Sequence, residues 1–134
     1  MNIPLEKLNY SFQDKLLLIG GMAMQYYGLR KAGADIDLVI SRRDHEQLIR
    51  IWPEHVKDLY GDIGICEFGF EIWNQICRFN YDELLPGSIE EADFRVISLE
   101  RLLFLKSLAI RIEKYHQDVL LIVDEILKRK YAAS

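Results

Sequence analysis

The sequence predicts an α+β domain (α/β-like): a small mixed β-sheet with helices mainly on one side and a helical C-terminal tail. Three stretches carry that expectation. A short apolar run, Leu16-Leu17-Leu18-Ile19, stops at Gly20-Gly21, as a buried strand does. Residues 61–79 are rich in Ile, Phe, Trp and Cys, the composition of strands. From Ser98, a helix-capping residue, the chain reads as helix to Tyr131. Helical and extended segments alternate before that tail, which points to a mixed sheet.

In chain order, Ile3 to Asn9 reads as a short lead-in helix, and Lys15 to Ile19 as the first strand. Met22 to Tyr27 is one or two helical turns that Gly28 can close. Leu29 to Ala34 is a loop, and Asp35 to Ile40 a second strand. Ser41 can cap the next helix, with Asp44 three residues on. That helix runs to about Ile51, Trp52-Pro53 breaks it, and Pro53 can open another short helix through Tyr60. Strands are expected over Ile63 to Phe68 and Phe70 to Phe79, with Gly69 as a bend or bulge. Tyr81 to Glu91 reads as a loop around Pro86-Gly87, and Phe94 to Ile97 as the last strand. The helical tail from Leu99 should break between Arg111 and Tyr115.

The 134 residues are 50% hydrophobic, 28% charged and 11% aromatic. That balance fits one folded domain over residues 1–134, with a core over about 12–97 and a tail over about 98–131, and excludes a disordered chain. The formal net charge of −4 argues against bulk nucleic-acid binding by charge alone, while leaving room for a local basic pocket. Met1 to Lys7 lacks the cationic start and apolar core of a secretory leader. No segment is apolar enough to span a bilayer, and the two cysteines, Cys66 and Cys77, lack metal-ligand spacing. A reducing, cytoplasmic setting follows as the expectation, with both cysteines packed as small hydrophobes.

The chemistry concentrates in two short segments. Asp35 and Asp37 are two apart on one strand, so both carboxylates point to one face while Ile36 and Leu38 point to the core. Two such carboxylates repel unless a divalent cation sits between them, and hard Mg²⁺ prefers these oxygens together with substrate phosphates. Gly20 and Gly21 end the neighbouring strand and open a helix, where backbone can approach a phosphate closely. A metal site and a phosphate site would then share adjacent strand ends.

This pattern, Leu17-Leu18-Ile19-Gly20-Gly21-Met22-Ala23-Met24, then Gly28, then Asp35-Ile36-Asp37-Leu38-Val39, resembles the nucleotidyltransferase superfamily related to DNA polymerase β. It is most similar to the minimal nucleotidyltransferases and their relatives in toxin–antitoxin loci. The resemblance is specific over Leu16 to Ile40, and looser over Val96 to Lys106 and Lys114 to Asp118. It implies the nucleotidyltransferase fold and Mg²⁺-dependent transfer of a nucleoside monophosphate from an NTP to an acceptor hydroxyl, with release of pyrophosphate. Asp35 and Asp37 would hold Mg²⁺ or Mn²⁺. Gly20, Gly21, Lys31 and Lys106 would lie on the nucleotide. Lys31 stands where relatives often carry an Arg, keeping the charge but losing the planar fork, and Gly33 stands where they often carry a Thr.

The resemblance also implies a third carboxylate on a later strand. Glu71 in Phe70-Glu71-Ile72-Trp73 matches best, Glu67 is the rival and Asp93 the weakest. A bend at Gly69 would let only one of Glu67 and Glu71 face the aspartates, and Phe70 and Ile72 flank Glu71 as a core-facing row requires. Glu71 is therefore expected as a metal ligand and as the group that assists the acceptor. The acceptor is left open among a small molecule, a protein and an RNA end, and a partner protein or homodimer could complete the cleft. The alternative is a non-catalytic nucleotide-binding or antitoxin-like interaction module with the same fold.

Simpler readings stand beside these. Lys106 can be a lysine snorkelling from a packed helix face. Lys114 and Asp118 are spaced as a helix-surface pair. His45, His55 and His116 lack ligand spacing and read as structural or solvent-facing. Tyr26, Tyr27 and Trp73 could stack on a base, although core packing accounts for them more simply.

Overall fold

The computed structural model describes residues 2–59, 61–109 and 113–131. The fold is mixed α+β: a seven-stranded mixed sheet, a separate two-stranded hairpin and five helices, two of which form the C-terminal tail. Strands β1 (Leu16–Leu18), β2 (Ile36–Val39), β3 (Val56–Leu59), β4 (Asp62–Glu67), β5 (Phe70–Trp73), β8 (Ile89–Glu90) and β9 (Phe94–Val96) make the sheet, in the order β3-β4-β5-β2-β1-β9-β8. Strands β6 (Gln75–Ile76) and β7 (Phe79–Asn80) make the hairpin. The helices are α1 (Gly20–Tyr26), α2 (Arg42–Ile51), α3 (Tyr81–Leu84), α4 (Leu99–Leu108) and α5 (Lys114–Tyr131).

Strand β1 is central and pairs antiparallel with β2 and parallel with β9. Successive strand side chains point to opposite faces, yet Leu16, Leu17 and Leu18 are all buried. Both faces of the sheet are therefore covered at its middle. Strand β2 pairs in parallel with β5, with Ile36 opposite Phe70 and Asp37 opposite Glu71. Among the described residues, no helix is long and apolar enough to cross a membrane.

Several local expectations are corrected. The segment after Pro53 is a single 3₁₀ turn, Pro53–His55, followed by edge strand β3 instead of a helix. Strand β3 pairs with β4 across a tight turn in which Gly61 has φ +94° and donates its N–H to Asp58; Tyr60 lies outside the described residues. The expected loop over 81–91 contains α3, closed at its start by a reciprocal capping box between Asn80 and Glu83, and then β8. Helix α1 begins at Gly20, two residues before the expected start. The tail is two helices as expected, α4 ending at Leu108 and α5 starting at Lys114, with residues 110–112 of the expected break outside the described set. Cys77 is exposed in the β6–β7 turn and not packed as a hydrophobe, and Cys66 is half-buried.

The N-terminal segment is tied down by one buried carboxylate. Asp44, fully buried in the first turn of α2, accepts from Tyr10 Oη at 2.6 Å and from the backbone N–H groups of Gln13 and Asp14 at 3.0 Å each. The Ser41 hydroxyl donates to it as well, at 3.2 Å. Asp14 forms a two-pronged pair with Arg43 at 2.7 and 2.8 Å. Asp44→Ala would leave two backbone donors and the Tyr10 hydroxyl without their acceptor. It is expected to cost about 3 kcal/mol, read as a lower urea midpoint with an unchanged slope.

Candidate functional site

The site starts at the β1–α1 junction. Gly20 adopts φ +63°, a left-handed conformation that side chains rarely adopt. A Cβ there would sit 2.4 Å from Asp37 Oδ2. Glycine is thus required twice at this position, for the backbone angle and for the approach of the aspartate. Ile19 N–H donates to the Asp37 carbonyl at 3.1 Å, which continues the β1–β2 pairing to the end of the sheet.

Asp37 and Glu71 face each other across the parallel β2–β5 pair and hydrogen-bond through their side chains. Asp35 lies one residue before β2, exposed at the mouth. Burial pushes the Asp37 carboxyl up to about 7, helped by the hydrogen bond to Glu71 and by the charges of Glu71 and Asp35, with Lys106 opposing. Cys66 completes the row opposite Glu71, and burial followed by the nearby Glu71 charge raises its thiol.

Glu67 is elsewhere. Phe68 and Gly69 form a two-residue hairpin turn, both with positive φ, between β4 and β5. Glu67 therefore pairs with Phe70, on the face opposite to Glu71, and makes an ion pair with His55. Gly69 belongs to a hairpin turn, in place of the expected bend or bulge within one strand. Asp93 is exposed just before β9.

A cationic wall stands across from the carboxylates. Asp118 on α5, 2% exposed, accepts from Arg30 Nε and Nη2 at 2.6 and 2.8 Å and pairs with Lys106 Nζ at 2.9 Å. Burial pushes Asp118 up, but the hydrogen bonds from Arg30 and Lys106 outweigh it and hold the group below its usual range. Lys106 is itself buried, which lowers its pKa against the pull of Asp118, and its ammonium lies 4.1 Å from the Tyr115 ring centre. This burial corrects the snorkelling reading of Lys106 and the surface placement of Asp118; the Lys114 side chain, the other half of the expected surface pair, lies outside the described residues.

Two cavities meet at Asp37, Lys106 and Tyr115. One, of about 430 Å³, is lined by the charged residues Arg30, Asp35 and Asp118 and by Gly21 in addition to those three. The other, of about 190 Å³, opens on the Glu71 side and is largely apolar. Gly20, Gly21, Asp35, Asp37, Glu71 and Lys106 thus come together. Lys31 does not line either cavity; it is exposed, and Arg30 beside it supplies the guanidinium. Of the aromatics, Trp73 lines the apolar cavity. Tyr26 bonds to Glu91 and Tyr27 donates to the Ile97 carbonyl at 2.7 Å. His45 bonds to the Ile63 carbonyl.

Sequence reading missed Arg30 and Asp118. Asp118 carried a signal: it precedes the fully buried Ile122 by four residues, so it lies on the apolar stripe of α5. The donors near Asp37 are all hard carboxylate oxygens, suited to Mg²⁺ or Mn²⁺. Among the described residues, no three His, Cys, Asp or Glu side chains are gathered to hold a metal ion on their own. Mg²⁺ commonly uses one or two carboxylates plus substrate phosphates, which fits an exposed Asp35 beside Asp37.

A carboxyl held above its unfolded pKa of 3.8 keeps its proton longest in the native state. Its stabilising contribution is complete below about pH 4 and is lost as the pH rises through about 7. Asp37→Asn is therefore expected to gain stability over wild type as the pH rises from about 4 to about 7, measured as the difference in urea midpoints. A constant difference across that range would mean that Asp37 titrates normally.

Comparison with known proteins gives no match: no protein-family model, no curated protein and no solved structure is significantly similar to this chain.

Proposed function

We propose that the protein is a Mg²⁺-dependent nucleotidyltransferase, moving a nucleoside monophosphate from an NTP to an acceptor hydroxyl. One observation carries the reading: Asp37 lies against Gly20, opposite Glu71, where a cavity lined by charged residues meets a largely apolar one. The larger cavity is lined by Gly21, the Arg30 guanidinium and the Lys106 ammonium together with Asp35, Asp37 and Asp118, cations for a triphosphate beside carboxylates for its metal ion. Asp35 and Asp37 would hold the metal ion, which when bound supplies positive charge against the phosphate oxygens.

The protein's own residues account for the rest. Arg30 and Lys106 face the phosphates from a fixed position, because Asp118 orders both. Glu71 accepts the proton of the acceptor hydroxyl. The hydroxyl oxygen forms a bond to the α-phosphorus, the bond from that phosphorus to the α–β bridging oxygen breaks, and pyrophosphate leaves with the electron pair. The proton passes from Glu71 to water.

Mg²⁺–ATP or Mg²⁺–GTP is expected to raise the melting temperature, since a ligand bound only to the native state stabilises it by about 2.7 kcal/mol at a hundredfold excess over Kd. The double variant Asp35→Asn, Asp37→Asn should lose the shift. With water in place of the acceptor, the slow products should be nucleoside monophosphate and pyrophosphate, and Glu71→Gln should reduce their formation on the order of a hundredfold. Nucleoside diphosphate and phosphate as products would overturn attack at the α-phosphorus. A thermal shift with no turnover would assign the chain to the non-catalytic nucleotide-binding class.

A further inference from the structure

We propose that the acceptor hydroxyl is carried on a small, uncharged, apolar group, about the size of one ring, seated in the cavity on the Glu71 side of Asp37. The inference rests on the transfer reading and adds the class of acceptor to it. The cavity measures about 190 Å³. Cavities of about 150 Å³ lined by aliphatic and aromatic residues hold a benzene ring, so the volume suits one ring or one branched aliphatic group.

The lining is specific in character. Ile19, Trp73, Leu102 and Leu105 supply buried apolar surface, and the half-buried Ile76 and Ala109 also line the cavity. Asp37 and Glu71 stand at one end. A group filling the apolar part would thus bring a hydroxyl at its edge to the carboxylate row, next to the larger cavity.

The wall that carries Ile76 is a built element. The β6–β7 hairpin is a separate two-stranded sheet. Phe79 packs edge-on against Phe104 of α4, with ring centres 4.7 Å apart. Asp62 accepts from the Cys77 backbone N–H at 3.0 Å and so ties the hairpin turn to β4.

Charge argues against an anionic acceptor. Asp37 and Glu71 line the cavity, Asp35 lines the adjoining one, and the chain carries a formal net charge of −4. Lys106, the cation that lines this cavity, also lines the larger one, where the transfer reading assigns it to the phosphates of the NTP. A nucleic-acid end or a sugar phosphate would meet carboxylates there, and among the described residues no other cation lines that cavity.

The test uses the full chain with benzyl alcohol as the apolar acceptor and ribose 5-phosphate as the anionic one. Binding is read by saturation-transfer NMR, and transfer by mass-spectrometric detection of the benzyl ester of AMP in the presence of Mg²⁺–ATP. In that ester the alcohol oxygen has replaced pyrophosphate on the α-phosphorus. Benzyl alcohol is expected to bind and to be esterified, and ribose 5-phosphate to do neither. Two rim variants, Ile76→Asp and Ala109→Phe, should each weaken benzyl alcohol binding by about tenfold or more, and melting curves report which of them keeps the fold.

Failure to bind benzyl alcohol while Mg²⁺–ATP still raises the melting temperature would overturn the acceptor class and leave the transfer reading standing. Unchanged binding in a folded rim variant would place the probe elsewhere and overturn the inference. The acceptor class falls equally if an enzyme that hydrolyses Mg²⁺–ATP forms no ester, or if ribose 5-phosphate is the better acceptor. Benzyl alcohol binding without any response to Mg²⁺–ATP would overturn the transfer reading, and the acceptor assignment with it.

Discussion

The parallel register of β2 against β5 is the constraint on which the site depends. It sets Asp37 opposite Glu71 and forces two carboxyl groups into one partly buried place. Neither could be there without a compensating change, because like charges at close range in a low dielectric are costly. Burial and the neighbouring carboxylates raise the Asp37 carboxyl, which favours its uncharged form there. The missing side chain at Gly20 makes room for the arrangement on one flank, and α4 closes the other with Lys106.

Asp118 has a different role. Being buried, it would be unfavourable as a lone charge, but it is satisfied by Arg30 from the loop after α1 and by Lys106 from α4. Three elements distant in sequence are locked by one carboxylate, and both cations are held with their donors ordered before any anion arrives. An entering phosphate would share those donors with Asp118, so part of its binding energy goes to loosening an existing ion pair.

Much of the architecture is legible in the sequence because its determinants are local. The apolar run ending in Gly20-Gly21 and the alternation across Asp35-Ile36-Asp37-Leu38 each state their conformation within a few residues. Two-residue turn chemistry at Phe68-Gly69 is also in the sequence, but reading Gly69 as a bend keeps Glu67 and Glu71 on neighbouring stretches and hides the hairpin. Strand β3 reads as helix because its residues, Val56 to Leu59, have no apolar face of their own, and their pairing with β4 decides the matter. Arg30 and Asp118 are 88 residues apart, and no spacing rule connects them. What stays hidden is in each case a partnership made by tertiary structure.

The length of the Phe68-Gly69 turn acts as a ruler. Strand β5 is paired on one side with β4, through that turn, and on the other in parallel with β2. The two registers agree only while the turn has two residues. One residue more or fewer would set them against each other: β5 could stay aligned with its hairpin partner or with β2, but not with both. Following the hairpin would rotate Phe70 or Ile72 into the place opposite Asp37 and put Glu71 on the other face. The chemistry at Asp37 is therefore sensitive to insertions at a turn that bears none of the site's carboxylates, and Phe68 tolerates an unfavourable left-handed backbone there because the frame of the sheet demands it.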